Sequence, residues 1–169
     1  YAFYQFWLGT ADEDVYRFLR YYSFMSLSEI DALEAEDAKR QGRKQAQQVL
    51  ANELTELVHG KAALAAVQRI SELLFSGDVA RLGESDLAQL AQDGMPCSTV
   101  SGETDLVSLL VSCGLANSRR IARELLAAGA ISLNGVLKQD EQLSATDRLF
   151  DRYLLLRRGK KQYHLVAWQ

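Results

Sequence analysis

Little in this sequence is equipped for metal or redox chemistry. The chain has two histidines, His59 and His164, and two cysteines, Cys97 and Cys113. No spacing among them resembles a zinc site or a redox pair, so no metal is expected. Two thiols in a chain of this size suit a reducing compartment. A cytoplasmic location is therefore expected, and a Cys97–Cys113 disulfide has nothing to recommend it. No glycine-rich phosphate loop follows a strand, which removes the common nucleotide-binding motifs. No apolar run approaches the roughly 20 residues of a membrane span, so no membrane partner is expected. Initiator methionine, basic n-region and small-residue cleavage site are all missing. The aromatic opening of Tyr1, Phe3, Tyr4, Phe6 and Trp7 reads as a cut inside a longer protein, these rings serving as core or as a contact with a missing domain.

What is present is ordinary for a folded protein: 48% apolar and 24% charged residues. The net charge of −3 conceals a division. Residues 1–97 hold 9 Lys/Arg against 15 Asp/Glu, a balance of −6, whereas residues 98–169 hold 10 against 7, a balance of +3. Such a change of sign predicts two units with different surfaces, the basic one facing an anionic partner.

Hydrophobic spacing predicts helices through the first 95 or so residues. Val15, Phe18, Leu19 and Tyr22 recur on one helical face. Ser26 and Glu29 form a capping box, with Met25 and Ile30 at the staple positions. A third helix carries Ala46, Val49, Leu50, Leu54, Leu57 and Val58 and stops at His59-Gly60. A fourth runs from about Lys61 to Ser76, with Gly77 closing it, and a short one lies around Ser85–Ala91. Short links predict antiparallel helices in a bundle. The stretch from Gly94 to Glu103 contains the only proline, Pro96, and little periodicity, so 96–103 is expected to be a linker.

Beyond it the pattern mixes types. Leu106, Leu109, Leu110 and Cys113 predict one helix, and Ser118 caps another reaching about Ala128. Asn134-Gly135 joins strands Ile131–Leu133 and Val136–Lys138 in a tight hairpin. Tyr153–Leu156 and Tyr163–Trp168 flank a basic turn at Gly159. The whole reads as α+β: an all-α bundle over 1–95, then a small α+β unit over 104–169.

Two elements carry the chemistry. On the helix after Ser118, Arg119, Arg120 and Arg123 fall within an arc of about 100°, opposite Ile121, Ala122, Leu125 and Leu126. Planar, permanently charged guanidiniums fork onto phosphate oxygens, although a solvated basic face has the same pattern. The second element, Arg157-Arg158-Gly159-Lys160-Lys161, places four like charges at a hairpin tip, which phosphates would relieve and which also protects a sheet edge. Two basic elements in one small unit favour RNA or DNA binding. Asp12, Glu13 and Asp14 complement a helix dipole. No residue set has the pattern of a catalytic centre.

YAFYQFWLGTADEDVYRFLRYYSFMS, LANELTELVHG and LLFSGD resemble the helical tRNA-binding domain of bacterial tyrosyl-tRNA synthetases. NSRRIARELLAAGAISLNGVL and DRLFDRYLLLRRGKKQYHLVAW look like the appended S-four-like RNA-binding domain that ends these enzymes. The resemblance covers essentially the whole chain. It implies a parent tyrosine–tRNA ligase that uses ATP with Mg²⁺ and dimerises through a catalytic domain. The HIGH-like and KMSKS signatures of that domain do not occur here, so this piece is expected to be catalytically inactive, cofactor-free and monomeric. It implies that tRNA(Tyr) is the partner, held by its anticodon stem-loop and long variable arm. Arg119, Arg120 and Arg123 would face RNA, with Arg158, Lys160 and Lys161 adding to them. Asp12 or Asp14 would read the guanine at the first anticodon position. The rival reading is a free-standing RNA-binding regulator or splicing cofactor of the same fold.

Overall fold

The structure, a computed structural model, describes residues 1–42, 44–159 and 162–169, with Asp93 as backbone only. It is α+β and divides into two compact units, Tyr1–Arg69 and Ile70–Gln169.

The first unit contains helices α1 (Ala2–Leu8), α2 (Val15–Tyr22), α3 (Leu27–Asp37) and the first part of α4 (Ala46–Ser76). The capping box at α3 is present: Ser26 Oγ accepts from Glu29 N–H, and Glu29 Oε2 accepts from Ser26 N–H. Ile30 is fully buried and Met25 packs against the same cluster, as the staple requires. Gly60 breaks α4 with φ 82° and ψ 168°, where the sequence ends one helix and starts the next. The apolar stripes converge in a core of Val15, Leu19, Ile30, Ala46, Leu50 and Leu54. Each fully buried leucine or isoleucine there contributes about 1.5–3 kcal/mol. Of the aromatic opening, Tyr4 is buried and Trp7 packs edge-on against Phe3 and Phe18, while Phe6 remains exposed.

One buried carboxylate organises this unit. Asp37 accepts from Tyr16 Oη (3.1 Å) and from the backbone N–H groups of Gln45 (2.8 Å) and Ala46 (2.9 Å), thereby capping α4 from a distance. Burial pushes the Asp37 carboxyl up, but these hydrogen bonds and Arg40 outweigh it and hold its pKa below the ordinary value. Burial and the neighbouring Asp37 push the Tyr16 hydroxyl up to about 12.

The second unit is built on a five-stranded sheet in the order β1-β5-β4-β2-β3, with β1 (Cys97–Val100), β2 (Ile131–Leu133), β3 (Val136–Leu137), β4 (Tyr153–Arg158) and β5 (Gln162–Trp168). β1 runs parallel to β5, pairing Cys97 with Leu165 and Val100 with Trp168; the other pairs are antiparallel. The 96–103 segment expected to be a linker thus carries an edge strand. Its short S-T-V run has no alternation strong enough to stand out, and its partner lies at the far end of the chain. Helices α6 (Leu106–Ser112) and α7 (Arg119–Ala127) cover one face, burying Leu154, Leu156, Val166 and Trp168. The segment from Ile70, including α5 (Glu84–Gln89), meets the other: Tyr163 Oη donates to the Leu74 carbonyl (2.9 Å), and Leu155 and Leu165 are buried on that side. Residues 70–95 therefore belong with the sheet, although their helical pattern groups them with the preceding helices. A sheet with two apolar faces needs cover on both.

Asn134 and Gly135 turn the β2–β3 hairpin with φ 48° and 87°. A Cβ on Gly135 would lie 2.8 Å from Val79 Cγ2 and 3.0 Å from the Gly77 carbonyl. Gly135→Ala combines a left-handed backbone with this clash, and should destabilise the second unit by about 2–4 kcal/mol in urea unfolding. A midpoint unchanged from wild type would show that the hairpin does not press on residues 77–79.

Candidate nucleic-acid interface

Helix α7 is placed by its apolar side. Ala122 and Leu126 are buried, Ile121 and Leu125 pack against the same core, and Ser118 Oγ accepts from Ile121 N–H to cap the start. The opposite side presents Arg119, Arg120 and Arg123, whose side chains are 55%, 77% and 52% exposed. Each rests on a carboxylate. Arg119 donates to Ser108 Oγ (2.6 Å) and lies 3.5 Å from Asp105, Arg120 pairs with Glu124 (2.5 Å), and Arg123 pairs with Glu141 (2.9 Å). Hydrogen bonds from the Ser108 hydroxyl and amide, with Arg119 adding to them, hold the Asp105 carboxyl below its ordinary pKa. The outward face of α7 is thus ion-paired rather than a bare positive patch. Exposed pairs of this kind are worth only about 0.2–1 kcal/mol, so a phosphate can take the carboxylate's place.

The second basic element meets α7 just past its end. Gly159 N–H donates to the Ala130 carbonyl (2.8 Å), and Arg158 pairs in register with Ile131. Arg158 lies on the α6–α7 side of the sheet, where its Nη1 donates to the Leu115 carbonyl (2.9 Å). It is half-buried and partly committed to the fold, which leaves fewer donors for RNA than the sequence implies. Arg157 points to the other side, with Nε donating to Ser132 Oγ and the guanidinium over the Tyr163 ring. Neither arginine has a carboxylate partner among the described residues. Lys160 and Lys161 lie outside the described residues. Arg148, which with Lys138 extends the basic patch in the sequence, stacks its guanidinium 4.3 Å from the Trp168 ring centroid.

In the first unit the two anticodon candidates separate. Asp14 pairs with Arg17 (2.5 Å) on the exposed side of α2. Asp12 opens onto a small polar cavity of about 210 Å³ lined by Leu8, Gly9, Thr10, Gly42, Lys44 and Gln47. Gln47 Nε2 donates to Asp12 Oδ1 (2.6 Å) and to the Thr10 carbonyl (3.3 Å), while Lys44 Nζ lies 3.2 Å from Asp12 Oδ2. No signal in the sequence joins Gln47 or Lys44 to Asp12, because only the folding of α4 against the α1–α2 turn brings them together.

The family model for the tyrosine–tRNA ligase SYY-like C-terminal domain matches residues 86–166, and that for class I tRNA synthetases (W and Y) matches residues 1–76. The tyrosine–tRNA ligase of Aeromonas hydrophila is 83% identical over 169 residues, covering 100% of this chain and 40% of that protein. The ligase of Laribacter hongkongensis is 53% identical over 171 residues, 99% of this chain and 40% of that protein. A solution structure of a tyrosyl-tRNA synthetase C-terminal domain shares 42% identity, covers 56% of this chain and 98% of that one, and superimposes with a TM-score of 0.45. The chain spans about 40% of the length of these curated relatives. Neither relative favours a free-standing regulator or splicing cofactor. This chain therefore belongs to the bacterial tyrosyl-tRNA synthetase family and corresponds to the C-terminal region of its members.

Proposed function

We propose that this chain holds tRNA(Tyr) away from its acceptor end, so that a catalytic domain elsewhere in the protein can attach tyrosine to it. The observation that carries this reading is that the arginine face of α7 and Arg158 stand on the same side of the sheet, with Gly159 N–H bonded to the Ala130 carbonyl just past the end of α7. Phosphate contacts from that side supply affinity without sequence information, as a stem or variable arm requires. The first unit supplies identity, with Asp12 rather than Asp14 facing an unstacked anticodon base, because Asp12 lines a cavity.

In this reading tyrosine activation, ATP with Mg²⁺ and homodimerisation belong to the whole ligase in the cytoplasm. The chain alone is a monomer that binds RNA and carries no cofactor. No helix among the described residues is long and apolar enough to cross a membrane.

The test is a filter-binding titration of tRNA(Tyr) against the wild-type chain and the double variant Arg119→Ala with Arg123→Ala. Affinity should fall several-fold, because two guanidiniums leave the α7 face while its buried side is untouched. Unchanged affinity would remove α7 from the interface.

A further inference from the structure

We infer that the turn at Phe150 is a further RNA contact, in which the Phe150 ring stacks on one unpaired base while the guanidiniums of Arg148 and Arg152 hold the adjoining phosphates. This rests on the reading that the chain binds tRNA(Tyr).

The backbone opposes the residue that stands at this turn. Phe150 and Asp151 are its central residues, and Leu149 and Tyr153 close it. Arg152 N–H and Tyr153 N–H donate to the Leu149 carbonyl (3.1 and 2.8 Å), and Leu149 N–H donates to the Tyr153 carbonyl (2.6 Å). Both central residues are left-handed, with φ 53° and 56°. The β2–β3 hairpin makes the same demand and meets it with Asn134-Gly135, residues that adopt this conformation readily. Here a phenylalanine occupies the first position, where a bulky side chain is disfavoured. Its ring adds little to the fold, since Phe150 is 49% exposed and is not among the side chains packed on the α6–α7 core. A strained conformation that displays an aromatic ring to solvent is the kind of feature that persists where it serves binding.

The charge around the ring selects the ligand. The Arg148 guanidinium lies 4.3 Å from the Trp168 ring centroid, and that of Arg152 lies 5.2 Å from the Tyr153 centroid. Both rings are buried, and Trp168 is fixed by its Nε1 donating to the Gly102 carbonyl (3.1 Å). Stacking of this kind orients a guanidinium but satisfies none of its N–H groups. Arg148 Nε is buried without a partner, and neither arginine pairs with a carboxylate among the described residues. Asp147 accepts instead from Ser144 N–H (2.8 Å), and Asp151 pairs with neither arginine. The turn therefore offers an aromatic face flanked in the chain by two open cationic forks, which suits a base and its phosphates. Bases in a paired stem stay inside their stack, so the nucleotide that fits is unpaired. An apolar protein segment would match the ring but would desolvate two guanidiniums without supplying acceptors. This turn and Gly159 stand at opposite ends of β4, about 17 Å apart, so the contact is separate from the one at Gly159.

The experiment combines filter binding of tRNA(Tyr) with urea unfolding for the wild-type chain, Phe150→Asn, Phe150→Leu, Phe150→Tyr and Arg152→Gln. Phe150→Asn should leave the urea midpoint unchanged or raise it, because asparagine accepts the left-handed backbone, and yet weaken binding roughly 5–100-fold. Phe150→Leu should weaken binding similarly, whereas Phe150→Tyr should stay within about twofold of wild type. Arg152→Gln should weaken binding and lower the slope of log K against log salt by about 0.7–0.9, a slope that Phe150→Asn leaves unchanged. Full affinity in Phe150→Asn or Phe150→Leu would overturn the stacking role, and an unchanged slope in Arg152→Gln would overturn the phosphate role. A lowered midpoint in Phe150→Asn would show that the ring serves the fold, and overturns the assignment as well. Those results leave the wider reading intact wherever Arg119→Ala with Arg123→Ala still weakens binding. Failure of the wild-type chain to bind tRNA(Tyr) overturns both.

Discussion

Replacing Asp37 with alanine should unfold the helical unit at markedly lower temperature, with a loss of about 3–5 kcal/mol. The variant leaves three donors, Tyr16 Oη and the amides of Gln45 and Ala46, without an acceptor in a site from which water is excluded. Each orphaned buried donor costs about 1–3 kcal/mol, and the start of α4 loses its cap as well. A loss of that size is a large part of the 5–15 kcal/mol that separates folded from unfolded domains. Hydrogen exchange is the appropriate readout, because the amides of α2, α3 and the first part of α4 should lose protection while the sheet amides of the second unit keep theirs. Protection of all three helices equal to wild type would show that Asp37 is dispensable.

The same site makes the pH dependence of stability explicit. Asp37 has a folded pKa below its unfolded value, so its contribution is present above about pH 4 and is lost as pH falls through the folded pKa. Tyr16 has the opposite sign. Its folded pKa is raised to about 12, so its contribution is complete below pH about 10 and is lost as pH rises through 12. The helical unit should therefore weaken at both extremes, and Tyr16→Phe should flatten the alkaline limb and also lessen the acid one, because the Tyr16 hydroxyl helps to hold the Asp37 pKa down.

Ionic strength should have the largest effect on binding. With about five phosphates neutralised and a slope near 0.8 per contact, log K falls by about 4 per decade of salt. Raising salt from about 50 to 200 mM should then weaken the complex by roughly two orders of magnitude. The pairing of Arg119, Arg120 and Arg123 with Asp105, Glu124 and Glu141 does not prevent this, because those pairs are exposed and individually weak. Each guanidinium exchanges a carboxylate that salt already screens for a phosphate whose condensed counterions are released. A total slope shallower than about 2 would mean that shape and neutral contacts, rather than charge, hold the RNA.

Local signals in the sequence were decisive wherever a few neighbouring residues set the backbone. Ser26 with Glu29 marks the start of α3, Gly60 the break in α4, Ser118 the start of α7 and Asn134-Gly135 the hairpin, and each feature is found where the sequence puts it. Caps and turns are satisfied by atoms within about four residues, so they can be read without knowing the fold. The outward arc of Arg119, Arg120 and Arg123 was legible for the same reason, since helical periodicity alone separates them from Ala122 and Leu126.

Strand β1 was not legible, and neither was the allegiance of residues 70–95. Val100 becomes a strand residue by pairing with Trp168, and the segment after Ile70 is claimed by a sheet face that forms from residues 80 and more positions later. The charge partners were hidden as well. Glu141 reaches Arg123 across 18 positions, and Leu115 binds Arg158 across 43. The sign change in composition located the basic unit but could not show that its arginines are paired.

The amino-acid order by itself determined the helices, their caps, the hairpin, the basic face of α7 and the family. Tertiary structure alone decided which acidic residue faces a cavity, that Gln47 and Lys44 stand on either side of Asp12, and that Gly159 bonds Ala130 just past the end of α7. The division follows from the range of the forces involved. Backbone propensity and amphipathic spacing act over one or two helical turns, whereas hydrogen-bond complementarity for a ligand needs groups from separate elements held within about 3 Å of each other.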